Sequence, residues 1–203
     1  MVDIHILRSL VNNPWWNQCI NSFVGLETVI KPIVVDNFGR DLIMGRNIGY
    51  NLGENEYVSF VDDDDYLCAD SDYIEKIVDD GNPASFTNSV VLSDSGKIHN
   101  WIDSIHTKWT IKTRSIVRCH QLMIMKRGLA INTCSETTAL IKLKGWHPMV
   151  FDYVFITLMA INHGWTYYNR PQYVWRFNGA RNRRFGSIDS QAAKAYFNKL
   201  IEW

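Results

Sequence analysis

Three short apolar runs separated by helix-like stretches fill the first 62 residues, and this alternation limits the possible folds more than any other feature of the chain. DIHILRSLV (residues 3–11), residues 31–39 and EYVSFVD (residues 56–62) have strand character. Residues 14–29 and LIMGRNIGYNLGE (residues 42–54) read as helices, the first with Asn13 as N-cap and Pro14 at its first position, the second with Gly53 near its end. Strand, helix, strand, helix, strand in so short a span specifies βαβ units and a parallel sheet, because parallel neighbours need a crossover. A further helix is expected over residues 70–80, capped by Asp70 or Ser71, and a hairpin around residues 93–96. VRCHQLMIMKRG (residues 117–128) has a strand-like core. Residues 136–144 suit a short helix, residues 151–163 a longer one ending at Gly164, residues 166–177 a strand and residues 187–203 a final helix.

The expected class is therefore α/β: a Rossmann-like, mixed, mainly parallel sheet flanked by helices. The 203 residues suffice for one core and are expected to form a single domain, 1–203, with no internal repeat or long linker. No stretch approaches the roughly 18–20 apolar residues that cross a bilayer. The opening residues, MVDIHILRSLVNNPWW, lack the parts of a secretory leader and are expected to start the first strand. Cys19, Cys68, Cys119 and Cys134 show no C-x-x-C spacing and fit free thiols of a reducing, cytoplasmic compartment.

The third strand runs into four consecutive aspartates, Asp62 to Asp65, before the chain turns apolar again. Adjacent carboxylates raise one another's pKa unless a cation balances them. In an open α/β sheet this is the end of the strands where ligands bind. A hard divalent ion, Mn²⁺ or Mg²⁺, takes oxygen ligands and bridges one or two carboxylates to a substrate phosphate, so the run fits half of a metal–phosphate site. An acidic surface loop is the alternative. Net charge is zero, yet residues 1–96 carry five basic and sixteen acidic side chains and residues 97–203 the reverse. That division suits two solvated faces, or an acidic half (1–96) that holds a cation and nucleotide beside a basic half (97–203) that meets an anionic partner.

RNIGYNLGENEYVSFVDDDDYL (residues 46–67) resembles the nucleotide-sugar-binding segment of GT-A glycosyltransferases of the family-2 type. Arg46 and Asn47 match the family's Arg-Asn pair, and Asp62 and Asp64 its Asp-x-Asp, with Asp63 between and Asp65 after. The resemblance implies that Asp62 lies near the ribose or the metal, that Asp64 ligates the metal, and that Asp63, Arg46 and Asn47 serve the donor. It places Asp36, with Asn37 beside it, at the base, where a carboxylate accepts the N3–H of uracil and so suits a uridine donor. Turn chemistry explains an Asp-Asn pair equally well. Ser9, at the end of the first strand, is the corresponding candidate on that side. In KGWHPMVFDYVFITLMAINHGW (residues 144–165) the family's Glu-Asp pair appears as Phe151-Asp152, which makes Asp152 the implied general base. A first-turn carboxylate complementing the helix dipole is the plainer role. QYVWRFNGARN (residues 172–182) resembles the segment that closes over the diphosphate, with Arg176 and Arg181 as its candidates.

The implied activity is metal-dependent, inverting transfer of a sugar from a nucleotide-sugar donor to an acceptor hydroxyl. For the acceptor, residues 97–127 hold seven basic side chains against Asp103 alone, interleaved with Trp101 and Trp109. Trp101, Trp109, Trp146, Arg114 and Arg118 are the candidate acceptor residues. Basic groups among aromatics suit a polyanion whose bases or sugars stack. The small size resembles stand-alone phage transferases that glycosylate modified bases, so a modified pyrimidine in DNA is one acceptor, and a phage-infected or bacterial cytoplasm the setting. A surface saccharide or lipid-linked sugar is the other. Phe151 in place of the usual Glu leaves open a non-catalytic nucleotide or nucleic-acid binding module. A nucleotidyltransferase would need a glycine-rich phosphate loop near the first strand, which LRSLVNNPWW lacks.

Overall fold

The computed structural model describes residues 1–9, 12–38, 41–93, 96, 98–101, 121–177, 191–193 and 195–197. Its elements are β1 (Val2–Arg8), α1 (Trp16–Asn21), β2 (Ile30–Asp36), α2 (Leu42–Asn51), β3 (Tyr57–Asp62), β4 (Tyr66–Leu67), α3 (Ser71–Asp79), β5 (Ala84–Ser93), β6 (Ile98–Trp101), β7 (Met123–Lys126), α4 (Arg127–Lys144), α5 (Phe151–His163) and β8 (Thr166–Phe177). A 3-10 turn, Pro148–Val150, leads into α5. Residues 191–193 and 195–197 are helical, and the rest of the helix expected over 187–203 lies outside the described residues.

One mixed sheet runs β2-β1-β3-β7-β5-β8-β4, with β6 paired to β5. The βαβ pattern delivers its expected result: β1 pairs parallel with both β2 and β3. Beyond β3 the sheet continues through strands from both halves of the chain, with β7 antiparallel to β3 and β5, and β8 parallel to β5. β5 and β6 form the expected antiparallel hairpin.

Both faces of the sheet are covered at its centre, so β1 and β3 are buried along nearly their whole length, whereas the edge strand β2 is largely exposed. The pleat of β3 divides its side chains. Val58 and Phe60 join the cluster formed with α2, α4, α5 and residues 193 and 197. Tyr57 and Val61 join the cluster formed with α1 and α3.

Two helices depart from their expected bounds, each through a side-chain bond. The helix expected over 14–29 covers only Trp16–Asn21. Ser22 Oγ donates to the Cys19 carbonyl at 2.6 Å and accepts the Leu67 amide of β4 at 3.0 Å, so the chain is held in turns beyond that point. Asn13 Oδ1 still accepts the Trp15 amide ahead of the helix. The helix expected over 136–144 starts at Arg127, directly after β7. There the Arg127 guanidinium donates to the carbonyls of Tyr50, Leu52 and Asn55, closing the C-terminal end of α2, and pairs with buried Asp3. Gly145, at φ +64°, ends α4 in the left-handed cap, with the Trp146 amide on the Ile141 carbonyl.

Candidate functional site

The acidic run lies where parallel β1 and β3 end, and its four carboxylates have four different surroundings. Asp62, the last residue of β3, accepts Arg46 Nη2 at 2.9 Å. Asp63 turns toward β1 and accepts the Ser9 amide at 2.8 Å and the Ser9 hydroxyl at 3.0 Å. Asn13 donates to its carbonyl at 2.8 Å. Asp65, fully buried, accepts the Tyr173 hydroxyl at 2.6 Å and the Arg176 amide at 2.7 Å, both from β8. Asp63 and Asp65 thus fasten the loop to the strands on either side. Asp64 stands between them, half-buried, and among the described residues no cation or other side chain donates to it. Burial, reinforced by Asp65, Asp62 and Asp63, pushes its carboxyl up to about 7.

Arg46 is the centre of the site. α2 starts at Asp41, whose side chain accepts the Met44 amide at 2.7 Å. The helix lies close against β1 and β2 because two of its residues are glycine. A Cβ on Gly45 would come within 2.7 Å of Asn37 Oδ1, and one on Gly49 would enter the His5 ring. This approach buries Arg46 completely, 3.7 Å above the centroid of Phe60. Its Nε meets Asp152 at 3.3 Å, so one guanidinium holds both Asp62 and Asp152. Burial alone would push the guanidinium down, but the carboxylates of Asp152 and Asp62 hold it charged. One turn further along α2, Tyr50 stacks on Phe155 of α5 at 5.4 Å and meets His5 edge-on at 4.7 Å. Burial, then the charges of Arg46 and Arg127, keep His5 well below the usual imidazole range and therefore neutral.

The other expected residues fall as follows. Asp36 is exposed, opposite Arg8 in the β1–β2 register, with Arg8 Nη1 3.8 Å from its carboxylate. Asn37 is buried, its Oδ1 facing no donor among the described residues. Asn47 faces α4 and accepts from Cys134 Sγ at 3.3 Å. Arg176 donates through Nε to the Asp64 carbonyl at 3.2 Å, bonds Gln18, and lies 5.1 Å from the Trp15 ring and 6.0 Å from that of Tyr66. Trp146 packs edge-on against Tyr196 at 5.7 Å. Trp101 contributes backbone to β6. Trp109, Arg114, Arg118 and Arg181 lie outside the described residues.

Arg8 is a residue the sequence reading passed over. It lies 4.8 Å from the Trp16 ring and 5.5 Å from that of Phe38, beside Asp36. Its position at the end of the first strand, opposite an acidic residue ending the second, was the available signal. Tyr173 was likewise passed over, and Asp65 was named only as the aspartate after the motif; the pairing of β8 brings the two together.

Among the described residues no group of three or more His, Cys, Asp and Glu side chains could hold a metal ion. Among the described residues no cation offsets Asp64, and its carboxylate with that of Asp62 is the oxygen pair that could hold a hard divalent ion, the remaining ligands coming from phosphate oxygens. No helix among the described residues is long and apolar enough to cross a membrane. Cys19, Cys68 and Cys134 are free thiols.

The sequence matches no family model and no curated protein. Solved structures share its fold. S. aureus TarS 1–349 in complex with UDP-GlcNAc superposes with a TM-score of 0.60 at 13% identity, covering 95% of this chain and 64% of that one. The UDP complex of the same fragment gives 0.59 at 14% identity over 87% and 61%. A longer TarS structure gives 0.55 at 12% identity over 87% and 36%. The chain spans about three fifths of the length of TarS 1–349. The strand order, the strand-end carboxylates and these superpositions define the fold as that of GT-A glycosyltransferases.

Proposed function

We propose that this chain is a metal-dependent glycosyltransferase that moves a sugar from a nucleotide-sugar, with a UDP-sugar favoured, to an acceptor hydroxyl with inversion. The observation that carries the reading is the meeting of Asp62 and Asp152 on one buried guanidinium beside Asp64, which no cation of the described residues offsets. A strand-end acid and a helix-start acid converge there on a GT-A fold, and TarS, which shares the fold, has been crystallised with UDP and UDP-GlcNAc.

In this reading Asp64 and Asp62 hold Mn²⁺ or Mg²⁺, which when bound would neutralise the charge that develops on the departing diphosphate. Asp36 and Arg8 face the base, and Ser9 and Asp63 shape the floor between base and phosphates. Arg176, held between Trp15 and Tyr66, borders the diphosphate. Asp152 takes the proton from the acceptor hydroxyl as that oxygen attacks the anomeric carbon. The C–O bond to the diphosphate breaks on the opposite face, which inverts the configuration.

The test is release of UDP from a panel of UDP-sugars with Mn²⁺ and with chelator. Turnover of one donor, abolished by chelator, is expected. No binding of UDP or of any UDP-sugar in the presence of Mn²⁺ would overturn the reading. For the acceptor, the basic, tryptophan-bearing segment 97–127 supports a polyanion, with a modified pyrimidine in DNA as the proposed hydroxyl.

A further inference from the structure

The family resemblance assigns Arg46 to the donor, yet its side chain is 0% exposed and presents no surface to a diphosphate. Both of its established contacts are carboxylates: Asp62 through Nη2 and Asp152 through Nε. The ring of Phe60 lies 3.7 Å beneath the guanidinium and confines it to one plane. The start of α5 is therefore fastened to α2 at two points one turn apart, by charge at Arg46–Asp152 and by ring stacking at Tyr50–Phe155.

We propose that Arg46 is the positioning residue of the transfer reaction, fixing Asp152 relative to Asp62 so that base and donor keep a set separation; this rests on the transferase reading above. The chemistry favours arginine alone. A planar guanidinium presents donors in divergent fixed directions and reaches two carboxylates at once, whereas a lysine ammonium is a point charge on a flexible stem. Arg46 acts on the reaction through the two aspartates and touches neither donor nor acceptor. Its loss is thus felt more in the rate of the bound complex, which depends on where Asp152 stands, than in donor affinity, which Asp64 also carries. A misplacement of the base by about 1 Å is enough to cost on the order of 10²-fold.

The experiment compares wild type, Arg46→Lys and Phe60→Leu. It measures kcat for UDP release from the UDP-sugar that wild type turns over, and the Kd of UDP with Mn²⁺ by calorimetry. Arg46→Lys is expected to lower kcat by about 10²-fold, and Phe60→Leu by about 10-fold, with Kd changed by less than about 3-fold. Kd losses that match the kcat losses would overturn the proposal, since they mark a donor ligand or a general loosening of the site. Unchanged kcat in both variants would overturn it as well. Should Arg46→Lys fail to fold, the kcat and Kd of Phe60→Leu decide alone. A wild type that turns over no UDP-sugar removes the transferase reading and this proposal with it, whereas an active wild type with indifferent variants removes the proposal only.

Discussion

At the residue scale, the four adjacent aspartates are distinguished by their neighbours. Asp64 carries a carboxyl pushed up to about 7, against an ordinary value of 3.8. The folded protein therefore holds the proton that the unfolded chain has lost between those two values. Stability falls as pH rises across that window, and the full cost, on the order of a few kcal/mol, is present above it. In metal-free protein, Asp64→Asn should raise Tm by about 5 °C at pH 8 and leave it unchanged near pH 4, as measured by thermal melts in chelator. Mn²⁺ should raise the Tm of wild type and leave that of the variant unmoved. Asp65 is the opposite case. Its carboxylate satisfies the buried Tyr173 hydroxyl and the Arg176 amide, so Asp65→Ala should cost about 2–4 kcal/mol in denaturant melts. For Asp152, replacement by Asn should lower kcat by about 10²–10⁴-fold while UDP binding persists, because the amide keeps the shape and cannot take the proton.

At the element scale, the site depends on how closely α2 approaches the ends of β1 and β2. Gly49 faces His5, which is buried, neutral and enclosed by Tyr50 and Phe60. Gly49→Ala should therefore displace α2 and cost about 1–3 kcal/mol, measured by chemical denaturation. Gly45→Ala meets the movable end of Asn37 and should cost less. The sequence marks α2 through Gly53 near its end, but it gives no sign that two glycines face the sheet. α1 and α4 show the same limit. Their ends are set by Ser22 bonding β4 and by Arg127 bonding the end of α2, partners that no local pattern predicts.

At the scale of the whole molecule, the chain separates its charge, with sixteen acidic residues in the first 96 and sixteen basic in the remainder. If the acceptor is DNA, retention on duplex DNA should be firm at low salt, and log K should fall linearly with log salt at a slope near −0.9 per phosphate neutralised. Absence of retention at low salt would remove DNA as acceptor. The sequence alone determined the βαβαβ half, its parallel strands and the placing of an acidic cluster at their end. Those features are written in contiguous stretches, as apolar runs, capping residues and glycines, and local chain physics reads them directly. The tertiary structure decided which aspartate does what. Asp63 meets Ser9 across 54 residues, Arg46 meets Asp152 across 106 and Tyr173 meets Asp65 across 108. Four identical side chains in a row differ only in what the fold brings against them, and those partners come from strands and helices whose packing no neighbouring residue encodes.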